Sequence, residues 1–222
     1  MPSVTLTFDN GPDPQVTPFV LETLAQRAIL STFFVVGQRA AEPGAMALVE
    51  RAHAAGHWIG NHTWTHSVPL GRRTEPDIAE TEIARTQRLI GPLSQHPALF
   101  RPFGGGGILN RGLLSDSALS HLCANGFTCV LWNAIPRDWA DPDGWVDTAL
   151  AQIDSQPWSL MVLHDLPTGA MRHLPAFLDA LHARGCDIRQ DFPPDCLPIV
   201  AGTVVRPIDG FVTTKTERVG QN

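Results

Sequence analysis

Two histidines stand four positions apart in the segment NHTWTH, His62 and His66, a spacing that lets both imidazoles share one cation if the loop forms a helical turn. The pair is not a metal site by itself. No glutamate follows the first histidine, so this is not the HExxH protease arrangement, and a third ligand has to come from elsewhere. Further polar and titratable residues sit at the edges of apolar runs: Asp9 and Asn10 after VTLTF, Arg101 inside LFRPF, Asp138 in RDW, and His164 closing SLMVLH. Taken singly, Asp9, Asn10 and Gly11 also read as ordinary Asx-Gly turn chemistry, and His164 as a satisfied core histidine. The run Gly104 to Gly107 lacks the Lys and Ser or Thr of a phosphate loop, so nucleotide binding is rejected. A glycine run there lets a ligand approach the backbone, whose N–H groups can serve a developing anion.

Only the elements that carry these residues can bring them together. Strands are predicted at 4–8, 32–36, 58–61, 99–103, 127–132, 160–164 and 186–189, and helices at 17–27, 45–55, 76–90, 111–124, 145–153 and 174–184. Several helices end at glycine, Gly56, Gly91, Gly126 and Gly185, as left-handed C-caps require. Strand followed by helix, repeated, implies parallel strands with helical crossovers. Seven such strands point to a barrel shorter than the eight-stranded one, which typically needs ~250 residues. A doubly wound open sheet is the structural alternative. In the barrel, the polar residues above fall at C-terminal strand ends, on the one rim where active sites assemble from distant positions.

Composition agrees with one large α/β domain. The chain has 222 residues, 43% hydrophobic and 17% charged, enough for a core that needs neither disulfides nor a structural metal, so any metal would serve chemistry. A net charge of -6 without a Lys or Arg run argues against nucleic acid and anionic membranes as partners. No run reaches the ~18 apolar residues of a membrane helix and the start has no export pattern, so a cytoplasmic location is expected. Four cysteines without CxxC spacing read as reduced, mostly buried thiols. Residues 1–190 are assigned to the catalytic domain and 191–222 to an extension packed on it, in which IVAGTVV forms a strand or hairpin and TTKTERVGQN frays.

In order along residues 4–190, TFDNGPDP, NHTWTH, FRPFGGG, RDW and VLHD resemble the motif series of the polysaccharide deacetylase family, the NodB-homology or carbohydrate esterase family 4 group. The resemblance implies a distorted (β/α)7 barrel and metal-dependent hydrolysis of an acetyl group on a sugar. It assigns Asp9 as the base, His164 as the acid, Arg101 as the residue holding the base, and Asp138 as the one orienting the acid. It places a divalent cation, zinc first with cobalt or nickel as substitutes, on Asn10, His62 and His66. A backbone N–H near Phe103 and Gly104 would complete an oxyanion site, and Trp139 and Leu163 would line the acetyl pocket. The sequence departs from the family where Asn10 replaces a second aspartate; an amide oxygen ligates without charge, so the metal is expected to bind weakly or not at all. Motif three is one residue short, and motif four keeps only Asp-Trp. The substrate is therefore an N-acetylated saccharide or a small cyclic amide, as in an allantoinase-like amidohydrolase, with a catalytically impaired sugar-binding relative as the third reading.

Overall fold

The computed structural model of the protein describes residues 1–214. In chain order these form β1 (Ser3–Asp9), α1 (Thr17–Ala25), β2 (Thr32–Val35), the single turn α2 (Gly37–Ala40), α3 (Met46–Ala54), β3 (Trp58–Asn61), α4 (Arg85–Ile90) and β4 (Leu99–Phe100). There follow β5 (Leu114–Ser115), α5 (Asp116–Ala124), β6 (Thr128–Cys129), α6 (Trp145–Asp154), β7 (Trp158–His164), α7 (Leu174–Ala183) and β8 (Asp187–Arg189). Three short strands end the described chain: β9 (Ile199–Val200), β10 (Thr203–Val204) and β11 (Val212–Thr213).

The main sheet runs β10-β9-β6-β4-β3-β2-β1-β7. One edge of β1 is shared: β8 pairs with its first half (Ser3 opposite Asp187) and β2 with its second (Asp9 opposite Phe34). With β1, β2, β3, β4, β6, β7 and β8 all in parallel pairings, the parallel set has seven strands. Beyond β6 the chain meets β7 through one bridge, Ala134 to Met161, with Val162 N–H donating to the Ala134 carbonyl at 3.0 Å. The result is a distorted (β/α) barrel, curled and closed at one side by a minimal contact.

Period-two alternation in β1 decides where the core and the chemistry lie. Val4, Leu6 and Phe8 face the helical shell and pack with Val20 and Leu24 of α1, Trp145 of α6 and Leu178 of α7. Thr5, Thr7 and Asp9 alternate with them onto the opposite face and are buried as well. A second apolar cluster fills the other side around Phe34, Phe100, Trp132 and Val162.

Several elements differ from their sequence prediction. Strands 99–103 and 127–132 shorten to two ladder residues each, although the Arg101 and Val130 N–H groups still bond Asn61 and Phe100 carbonyls at 2.9 Å. The helix expected over 76–90 begins as a π-helix, Ala79–Ala84, before α4. The helix expected over 111–124 starts at Asp116, because Leu114 and Ser115 pair with β11 and the Ser115 hydroxyl caps α5 by accepting from Ala118 N–H at 3.1 Å. Gly56, Gly126 and Gly185 have positive φ, 92°, 68° and 64°, whereas Gly91 has φ -45° and opens a 3-10 turn instead of closing a helix. A hairpin does form at IVAGTVV, β9 against β10. Of TTKTERVGQN, residues 215–222 and the fraying predicted for them lie outside the described residues. All four cysteines are free, with Cys129 and Cys196 buried. Among the described residues, no helix is long and apolar enough to cross a membrane.

Candidate active site

Strand register alone brings Asp9 and His164 together, since the last residue of β1 pairs with the last residue of β7. Each is held by a buried partner. Arg101, with no exposed surface, donates from Nη1 to Asp9 Oδ1 at 2.8 Å and to the Thr7 hydroxyl at 2.6 Å. Its other nitrogens reach the Val130 and Leu131 carbonyls at 3.2 and 3.3 Å, and its guanidinium lies 4.0 Å over the Phe34 ring. A buried guanidinium is tolerated when its charge is paired and its donors are used, and both conditions hold here.

Asp138 uses both oxygens on His164: Oδ1 accepts from ring Nδ1 at 2.8 Å and Oδ2 from the backbone N–H at 2.9 Å. The tautomer is thereby set, and Nε2 is the ring nitrogen left for chemistry. Burial works to lower the His164 pKa, but the Asp138 hydrogen bond and charge, with Asp9 and Asp165, more than offset it and hold it above the ordinary histidine value. Trp139 packs against the imidazole, rings 4.7 Å apart and near perpendicular.

The histidine pair is arranged differently. His62 donates from Nδ1 to the Arg101 carbonyl at 2.8 Å, so its Nε2 carries a lone pair, which faces Asp9 Oδ2 at 3.6 Å. Two acceptors face each other there with no proton between them. His66 lies 4.8 Å from His62 and 4.0 Å from Phe103, measured between ring centres. Burial pushes both imidazoles down to about 3, so both are neutral near pH 7. Asn10, in the left-handed region at φ 75°, has a buried Oδ1 with no hydrogen-bond partner. Two neutral imidazoles, an orphaned amide oxygen and an unbridged acceptor pair are a donor set that fits a divalent cation. Among the described residues, no three His, Cys, Asp or Glu side chains gather as a metal cluster.

These groups open on a cleft of about 250 Å³. Asp9, Asn10, His62, His66 and His164 line it with Phe103, Gly104 and Trp139, while Arg101 and Asp138 lie beneath, reaching it through the groups they hold. Leu163 is a correction: it is buried in the helix-facing core, because His164 turns toward the cleft and β7 alternates, so Val162 lines the cleft instead. Trp132, Ile135 and Leu166 complete the apolar wall and were missed. The two-residue period counted back from His164 identifies Val162; nothing local identifies the others. A Cβ on Gly104 would fall 2.7 Å from the Trp132 ring, whose Nε1 donates to the Gly107 carbonyl at 3.0 Å, so the glycine run is shaped by that indole.

Barrel, rim and cleft define an α/β barrel protein with a buried Asp–His pair beside a candidate cation site. The polysaccharide deacetylase family profile matches residues 1–120. The chitooligosaccharide deacetylase of Sinorhizobium fredii is 35% identical over 206 residues, covering 85% of this chain and 89% of that one. A peptidoglycan-N-acetylglucosamine deacetylase of Bacillus cereus is 32% identical over 166 residues, 73% of this chain and 72% of that one. The solved family 4 carbohydrate esterase from Streptomyces lividans, in complex with acetate, superposes with a TM-score of 0.71 at 28% identity, over 90% of this chain and 98% of that one. The chain belongs to the polysaccharide deacetylase family, hydrolases of carbon–nitrogen bonds.

Proposed function

We propose that the protein hydrolyses the N-acetyl group of an N-acetylglucosamine-containing saccharide, releasing acetate and a free amine. The observation that carries this is the opposition of Asp9 and His164 across one strand pair, each oriented by a hydrogen bond to its own buried partner. Related chains named for chitooligosaccharide and peptidoglycan N-acetylglucosamine deacetylation support the substrate class.

Asp9, held through Oδ1 by Arg101, takes the proton from water as its oxygen attacks the acetyl carbonyl. The Phe103 N–H serves the oxyanion of the tetrahedral intermediate. His164, oriented by Asp138, which also raises its pKa, gives its proton from Nε2 to the departing nitrogen as the C–N bond breaks. Val162, Trp139 and Leu166 give the acetyl methyl an apolar wall. Asn10, His62 and His66 would hold a divalent cation, zinc, cobalt or nickel, which when bound supplies charge to polarise the carbonyl and acidify the attacking water.

Acetate release from N-acetylated chito-oligosaccharides, measured before and after chelation and after metal is restored, tests this directly. Loss on chelation and recovery with zinc or cobalt is the expected result; activity indifferent to chelation removes the metal from the scheme. The amide at Asn10 favours a second reading, a saccharide-binding relative with impaired turnover. Binding without acetate release, with release appearing in Asn10→Asp, would select it.

A further inference from the structure

We infer that Glu82 is a positioning residue that fixes the loop between His62 and His66, so that both imidazoles reach the cleft. Its consequence for metal binding rests on the proposed cation site.

Glu82 is buried and sits in the π-helical segment Ala79–Ala84, a wide turn of a kind found often at functional sites. Its Oε2 accepts from two successive loop N–H groups, Trp64 at 3.0 Å and Thr65 at 2.8 Å. Its Oε1 accepts from the Thr65 hydroxyl at 2.7 Å, with Arg73 Nη1 3.7 Å away. A buried carboxylate with this many donors is a fixed anchor and not a solvated surface charge.

The loop needs an anchor. Thr63 and His66 both occupy the left-handed region, φ 67° and 49°, a strained conformation for residues with a side chain. The loop carbonyls of Thr63 and Trp64 are held from the other side by the N–H groups of Gly37 and Gln38, both at 2.9 Å. Arg85, three residues beyond Glu82, stacks 3.7 Å over Trp64, and the Ile83 carbonyl accepts from Asn61 Nδ2 at 2.9 Å. The loop is thus clamped between α2 and the π-helix, with Glu82 supplying the clamp's only carboxylate to the N–H side among the described residues. With a neutral amide at Asn10, the electrostatic pull on a cation is reduced, and preset histidine geometry contributes a larger share of affinity.

Glu82→Gln keeps the shape and removes one acceptor oxygen and the charge. In this variant the Trp64 and Thr65 amides exchange hydrogen faster, while the amides of β1 and β7 keep their protection. Zinc and cobalt affinities, read by competition with a chromophoric chelator, fall by about tenfold or more, in the range seen when outer partners of metal ligands are removed. In a His66→Ala background the same change lowers metal affinity by less, since one of the two positioned ligands is gone. A merely structural role predicts a lower Tm with unchanged affinity in the folded protein, and that result overturns the inference, as does unchanged exchange at Trp64 and Thr65. If the wild type binds neither metal, the proposed cation site fails, and the exchange data alone decide the role of Glu82. Thr65→Val, which deletes the hydroxyl bonds to Glu82 Oε1 and to the Ser67 hydroxyl, both 2.7 Å, but keeps both backbone N–H bonds to Glu82, gives a smaller shift in the same direction and stands in if Glu82→Gln does not fold.

Discussion

Across the cleft, two halves satisfy their polar atoms in opposite ways. On the acid–base side, Asp9 Oδ1, His164 Nδ1 and both Asp138 oxygens are each matched to a partner within 2.9 Å. On the Asn10, His62 and His66 side, an amide oxygen is buried without a partner and two acceptors face each other at 3.6 Å. The first half is hydrogen-bonded within the chain. The second leaves Asn10 Oδ1 and the His62–Asp9 contact without a hydrogen bond among the described residues. Hydrogen bonds within the chain therefore fix the geometry on one side, while on the other the chain presents the donor atoms of a candidate cation site.

Substitutions can break this contrast. The largest loss of turnover is expected at Asp9→Asn, about 10²–10⁴-fold for a proton-transfer group. Because it also strands the buried Arg101, urea unfolding should register about 3–5 kcal/mol less stability. Full stability with lost turnover would show that Arg101 finds its compensation elsewhere, in Thr7 and the two carbonyls.

Asp138→Asn tests how the acid is tuned. Asp138 raises the His164 pKa, so wild type keeps its acid protonated to higher pH, and the variant's alkaline limb of kcat/KM moves to lower pH. The sign for stability matches: the raised pKa stabilises the fold below the ordinary histidine value, and this is lost as pH rises through the folded one. Titration of unfolding free energy in both proteins reads it; identical alkaline limbs would remove Asp138 from the tuning of His164.

On the open side, Asn10→Asp restores a carboxylate and is expected to tighten zinc or cobalt binding by about tenfold, ~1.4 kcal/mol. Unchanged affinity by calorimetry would mean that Asn10 does not face the ion. The smallest effect on turnover separates two neighbours on β7. Val162→Ala raises KM for the acetylated substrate and, as a truncation at the edge of the second apolar cluster, costs less stability than the leucine truncation beside it. Leu163→Ala costs about 2–5 kcal/mol of stability as a buried leucine truncation, with kcat/KM nearly unchanged in the folded enzyme. The reverse pattern would contradict the assignment of their faces.

Much of the fold was legible. β3 is found at the predicted residues, and most other boundaries fall within two residues, since apolar alternation and glycine stops act over short distances. The misses share a cause. Residues 111–115 look helical until β11 arrives from a hundred positions away to pair with β5, and the continuous run SLMVLH does not declare which face each residue takes. The site was legible through its motifs, from Asp9 to His164, while Trp132, Ile135 and Leu166 are apolar residues of unremarkable context that only closure of the barrel turns into a wall.

By itself the amino-acid order determined the repeated strand-helix period, the polar residues at strand ends and the amide at position 10, because each is a property of neighbours along the chain. Only the tertiary structure decided that Asp9 lies beside His164, that Arg101 is buried between Asp9 and two carbonyls, and that Asn10 Oδ1 is left without a partner. Those depend on register, burial and hydrogen-bond matching between segments that meet only when the sheet curls.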